Sequence, residues 1–172
     1  GANISGDDCT AIGHNALLAS LTPQNTAVGS SALAAASGAD CTAVGYKALS
    51  VNTAINVTAV GSGALDSNIG GTQNTAVGKD SLGANESGNN NTAIGYNSLS
   101  AIISGDENIA IGNNAGSVLG SNDSDNINIG NVGVSGDNGI IRIGKPGTHI
   151  HTIMSGSQSW LNAQYEEVVN GY

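Results

Sequence analysis

Hydrophobic and polar positions along this chain follow a short motif that returns at a nearly fixed interval. Thr10-Ala11-Ile12-Gly13 is followed by equivalent segments at 26–29, 42–45, 58–61, 75–78 and 92–95. Three looser copies close the series: Ile109-Ala110-Ile111-Gly112, Ile127-Asn128-Ile129-Gly130 and Ile141-Arg142-Ile143-Gly144. From glycine to glycine the steps are 16, 16, 16, 17, 17, 17, 18 and 14 residues. Such a period means one supersecondary unit stacked on itself, a solenoid in place of a globular core. Three or four residues rich in β-branched chains and closed by Gly predict a short strand. The Ala/Ser-Leu segment that follows, ending in Leu17, Leu33, Leu49, Leu65, Leu82 and Leu99, is a second, weaker strand candidate. Between units lie Ser, Gly, Asn and Asp, the residues of turns. Apolar spacing suited to helices is not sustained, and the glycine frequency opposes it. The expected fold is all-β, a parallel solenoid of about nine coils of 16–17 residues, on the order of 40 Å long at ~4.8 Å per rung.

Alternation assigns faces. In Ile109-Ala110-Ile111 and its two successors the outer residues share one side and the middle residue takes the other. The same reading groups Thr with Val/Ile in the early units and expects Val/Ile, together with the leucines, to line the interior. A coil this thin buries few large side chains, and the chain has no Phe, one Trp and four Tyr to enlarge the core. Association of identical rods would compensate, and the recurring Ala and Gly suggest close backbone approach between neighbouring chains under cyclic symmetry.

The units Asn25-Thr26-Ala27-Val28-Gly29-Ser30-Ser31-Ala32-Leu33, Asn74 to Gly78 and Asn91 to Gly95 resemble the head repeats of trimeric autotransporter adhesins of the YadA type. Similar repeats occur in phage tail fibres and in surface or fibre proteins of large algal viruses. The resemblance covers roughly residues 9 to 144. It implies a left-handed parallel β-roll, three chains around one axis, and attachment to a host surface, with the protein on a virion or at the cell surface. Ile141 to His149 resembles the segment that closes such arrays in viral fibres. No heptad pattern of a coiled-coil stalk follows, which favours a virus fibre or a fragment ending before the stalk. The expected organisation is a β-roll over 1–145 and a closing segment over 146–172. An architectural shaft with its receptor-binding tip elsewhere is the alternative.

Charge changes the picture of partners. The net charge is −9, with only Lys47, Lys79, Arg142 and Lys145 on the basic side. Nucleic acid is therefore not an expected partner, since phosphate neutralisation needs clustered cations. No apolar run approaches the ~18 residues of a membrane span, and no signal peptide is recognised. Cys9 and Cys41 occupy the slot before Thr, where Asn25, Asn74, Asn91 and Asn108 stand in other units. Two rungs, ~10 Å, separate them, beyond the ~7 Å reach of a disulfide, so both are expected as small thiols replacing a ladder Asn.

Candidate chemistry is sparse. No His or carboxylate recurs at a fixed offset from a Ser, the acids are scattered in turns, and the Gly-Gly-x-Gly-x-Asp calcium repeat is absent. The expectation is a non-enzymatic protein, with a polysaccharide-cleaving solenoid and an ice-binding Thr array as weaker alternatives. Turns vary while rungs stay fixed, so ligand contacts are expected from Asn89, Asn90, Asn122 and Asp123, with Tyr46 and Tyr96, against a glycan or protein receptor. His149 and His151 sit two apart in an alternating stretch, so in a strand both imidazoles share a side. Resemblance to trimeric phage spikes implies that three such pairs can surround an axial transition metal such as iron; the plainer reading leaves both rings in solvent. In the tail, Trp160, Leu161, Tyr165, Val168 and Val169 suggest a short cap over the open end, with Trp160 as a contact residue at a fibre tip the other reading.

Overall fold

A computed structural model describes residues 7–19, 22–35, 37–145 and 147–148. Nine three-residue strands follow in order: β1 (Thr10–Ile12), β2 (Thr26–Val28), β3 (Thr42–Val44), β4 (Thr58–Val60), β5 (Thr75–Val77), β6 (Thr92–Ile94), β7 (Ile109–Ile111), β8 (Ile127–Ile129) and β9 (Ile141–Ile143). Each pairs in parallel with the next, giving one sheet in sequence order. The register sets like on like from β1 to β6, Thr10 to Thr26, Ala11 to Ala27 and Ile12 to Val28, and continues unshifted to β9, where Ile109 meets Thr92, Asn128 meets Ala110 and Arg142 meets Asn128. Nine strands thus mark about eight solenoid turns, and no helix occurs among the described residues. The step from 16 to 17 residues adds one residue at an outer corner. There the N–H groups of Ile69 and Gly70 both donate to the Glu86 carbonyl (3.0 and 2.9 Å), and those of Glu86 and Ser87 to Ile103 (2.9 and 3.1 Å). The ladder absorbs the insertion without losing register.

The faces are the reverse of the sequence expectation. The middle residue of each strand points inward: Ala27, Ala43, Ala59, Ala76, Ala93 and Ala110 are fully buried. Thr and Val/Ile point outward, with Ile94 and Ile111 each 40 % exposed. Leu17, Leu33, Leu49, Leu65, Leu82 and Leu99 are fully buried, as expected. The cause is space. Leucines from the opposite wall of the coil fill the interior, which leaves the strand side room for a methyl group only. The alanines therefore bring two walls of one chain together and are not available for contact between chains.

The leucine segment is not a strand. Each leucine has φ between 47° and 51°, a conformation that bulky residues rarely take. Strain of this kind costs of order 1–3 kcal/mol and persists only where surroundings enforce it. Here each leucine is fully buried, and its N–H donates to the next coil, as from Leu33 to Ala48 (3.0 Å) and from Leu82 to Ser98 (2.9 Å). The motif glycine is required twice over. Gly78 has φ 137°, and a Cβ there would overlap the Gly95 carbonyl oxygen one coil away.

Between these walls runs a column of buried amides. Asn91 Oδ1 accepts the Asn108 N–H (2.9 Å), while Asn91 Nδ2 donates to the Gly105 carbonyl (2.8 Å). Asn108 repeats this toward Asn126 and Asp123, and Asn126 toward Ile140 and Asp137. One side chain thus satisfies a donor and an acceptor that the backbone cannot pair by itself. Cys41 takes the slot as expected, buried and unbridged, its thiol donating to the Ala54 carbonyl (3.4 Å) as an Asn amide would. Cys9 is unbridged and half-buried. A second column, Asn52, Asn68 and Asn85, passes Nδ2 to Oδ1 along the rod (2.6 and 2.8 Å). It ends where the next slot holds Ile102, which leaves Asn85 Oδ1 without a donor.

Past β6 the interior changes. Gly116 takes the leucine slot, and Leu119 fills part of the space from a later position. Asn128 and Arg142 replace alanine in β8 and β9. Arg142 forms a two-bond ion pair with Asp137, Nε to Oδ2 at 2.6 Å and an NH2 contact to Oδ1 at 2.9 Å. Asn128 is buried, and neither its Oδ1 nor its Nδ2 has a partner.

Candidate functional site

Beside the strand face, the two residues after each motif glycine form a corner of the rod. Backbone bonds keep them in single file: Gly63 N–H to Tyr46 O (2.9 Å), Asp80 to Ser62 (3.0 Å), Asn97 to Lys79 (3.0 Å) and Asn114 to Tyr96 (2.9 Å). Tyr46 and Tyr96 are therefore brought to one column three rungs apart, ~14 Å along the axis. They are exposed by 54 and 48 %, and no Phe, Trp or other Tyr occurs among the described residues. The Lys47 ammonium lies 5.5 Å from the Tyr46 ring centroid, and that of Lys79 lies 5.5 Å from the Tyr96 ring. Both distances lie within reach of a cation–π attraction. Lys79 also pairs with Asp80 (2.6 Å), and this contact, first through its hydrogen bond, raises the Lys79 pKa. Between the two tyrosines the column holds Ser62 and Gly63 on one rung and Lys79 and Asp80 on the next.

Sequence reasoning singled out the tyrosines but not their cations. Lys47 and Lys79 look like isolated charges until the solenoid period lines up the slots after glycine. Asp66 flanks the same corner. Partial burial raises its pKa, the nearby Asp80 carboxylate adds to the rise, and a hydrogen bond from Ser67 with the charge of Lys47 works against it.

The turn candidates separate. Asn90 is exposed in a left-handed conformation at φ 57°, and Asn122 is exposed with its Oδ1 accepting the Ser104 hydroxyl (2.8 Å). Asn89 is tied into the rungs. Its Oδ1 accepts the N–H and hydroxyl of Thr72 (both 2.9 Å), and its Nδ2 reaches Asp106 (3.1 Å). Asp123 is not a surface contact. It is buried, and its Oδ2 accepts the N–H groups of Gly120 (2.6 Å) and Gly136 (2.7 Å), clamping two successive coils. A carboxylate that satisfies two turn amides is held by the fold, which turn composition alone did not reveal.

Burial raises the Cys41 thiol pKa, so it is a protonated packing group at neutral pH. Among the described residues no group of three or more His, Cys, Asp or Glu is placed to hold a metal ion. His149, His151 and Trp160 lie outside the described residues. Among described residues no helix is long and apolar enough to cross a membrane. Compared with protein-family models, curated proteins and solved structures, the chain has no match.

Proposed function

We propose that this chain is a non-enzymatic rod that assembles as a homotrimer and serves in attachment at the surface of a virion or a cell. The observation that carries the reading is the outward ladder of Thr and Val/Ile. It runs the length of the sheet in unbroken register, and its apolar side chains stay partly in solvent in a single chain, from Ile12 at 60 % to Ile143 at 51 % exposed. A continuous apolar face of this extent marks an interaction surface, and identical ladders on identical rods are self-complementary under cyclic symmetry. The sequence resemblance to adhesin heads and viral fibres supports three chains and a left-handed winding. Three copies would also multiply weak receptor contacts by avidity. An axial iron held by His149 and His151 belongs to the same proposal. Elemental analysis tests it separately, with one metal per three chains expected.

Light scattering on dilute purified protein should give three times the chain mass, and Val60→Lys with Val77→Lys should reduce it to a folded monomer. A wild-type monomer would remove the trimer, and thermal hysteresis in that monomer would reassign the Thr ladder to ice. Fluorescently labelled protein should coat intact microbial or algal cells. Absence of binding across such a panel would leave only the architectural shaft.

A further inference from the structure

Resting on the attachment reading, we infer that the corner carrying Tyr46 and Tyr96 is a binding site for an uncharged oligosaccharide, which stacks pyranose faces on the two rings. Several observations converge on it. The two Tyr side chains, with no Phe or Trp elsewhere among the described residues, stand here in one column and about half exposed, where burial in the core would be their ordinary use. Aromatic faces ~14 Å apart along the rod match the apolar C–H faces of sugar rings that are separated by intervening residues of one oligosaccharide. Two rungs lie between the tyrosines: Ser62 and Gly63 form a low floor beside Tyr46, and Lys79 stands in the tyrosine slot beside Tyr96 with its ammonium against that ring, so a ligand lying along the rod axis crosses the lysine between one ring and the other. A Cβ at Gly63 would press on Asp80 Oδ1 (2.6 Å), which places that carboxylate beside the floor.

Charge selects the ligand class. On a chain of net charge −9, this corner holds two ammonium groups, Lys47 and Lys79, against two carboxylates, Asp66 and Asp80. The balance is locally neutral, and Lys79 is already held by Asp80 (2.6 Å). A sulfated or sialylated ligand would find no uncompensated cationic cluster here. A neutral, hydroxyl-rich ligand finds donors on the lysines and acceptors on the carboxylates at the edges of the rings. Each ammonium near a ring also restricts the side chain it contacts, which lowers the ordering needed on binding.

A printed array of neutral, sialylated and sulfated glycans, probed with the intact protein, tests the inference. Wild type should bind neutral oligosaccharides. Tyr46→Ala and Tyr96→Ala should each weaken the same spots about tenfold, and the double variant should abolish them. Tyr96→Phe should retain binding, because the ring face and not the hydroxyl makes the contact. Both tyrosines are exposed, so unchanged melting temperatures are expected for all variants and keep the readout specific. No binding of wild type to any neutral glycan overturns the inference, as does binding confined to the sialylated or sulfated spots. Undiminished binding by the double variant moves the site elsewhere while attachment itself stands. Cell coating that persists without any glycan binding likewise removes this site and keeps the attachment reading.

Discussion

The first six rungs and the last three solve the same packing problem with different chemistry. From β1 to β6 the interior is methyl groups of Ala against a fully buried leucine column, and the amide columns sit beside it. From β7 to β9 the leucine slot becomes Gly116, the strand centre stays Ala110 in β7 but becomes Asn128 and Arg142 in β8 and β9, and carboxylates of Asp123 and Asp137 enter the turns. The early coils are interchangeable, because each presents its neighbours with the same shape. The late coils are individual, each held by particular hydrogen bonds. In the late coils Leu119 and particular polar pairs such as Arg142 with Asp137 take over from the leucine and alanine filling.

The sharpest way to break this comparison is at glycine. Gly78→Ala puts a methyl group into the Gly95 carbonyl at φ 137° and should destabilise by more than about 3 kcal/mol, read as loss of the folded state in a thermal melt. Gly130→Ala, at φ 60° with open space around it, should cost only about 1 kcal/mol. Equal effects at the two sites would show that the halves are not differently constrained. Next in size, Leu65→Ala should cost about 2–5 kcal/mol by emptying a column that neighbours cannot close.

Asn108→Ala removes bonds to Asn91, Asp123 and Asn126 and should cost about 3 kcal/mol. Urea unfolding measures it, and a loss under 1 kcal/mol would return stability in this region to apolar packing. The Arg142–Asp137 pair has a pH signature. The hydrogen bond from Arg142 holds the Asp137 pKa below its ordinary 3.8, with the Val134 N–H helping. A depressed acid stabilises the fold above the unfolded pKa and loses that contribution as pH falls through the folded one. Melting temperature should therefore drop below about pH 4, and Asp137→Asn should flatten that limb. The smallest effect carries an opposite sign. Asn128→Ala restores the alanine of the other rungs and removes two unpaired buried polar atoms, so it should leave stability unchanged or raise it by about 1 kcal/mol. Destabilisation there would mean the amide has a partner that a single chain does not supply.

Much of the candidate surface was hidden for a related reason. Tyr46 and Tyr96 are 50 residues apart in the chain, and Lys79 is 17 from Tyr96. Only the coil length of each intervening unit brings them to one corner. Asp123 misled because a turn residue among Ser, Asn and Gly reads as exposed, while its carboxylate is consumed by two amides from different coils.

The sequence by itself determined the period, the parallel register, the glycine at each bend and the buried leucines. A repeated motif can stack only on its own copies, and equivalent residues then meet whatever the detailed shape. Which side of the strand faces inward was decided by tertiary structure. Alternation is symmetric between the two faces, so Thr-Ala-Val is equally consistent with Val in or Ala in. The width of the coil breaks that symmetry: leucines from the opposite wall occupy the interior, only a methyl group fits beneath them, and valine is turned outward to form the face that a partner can cover.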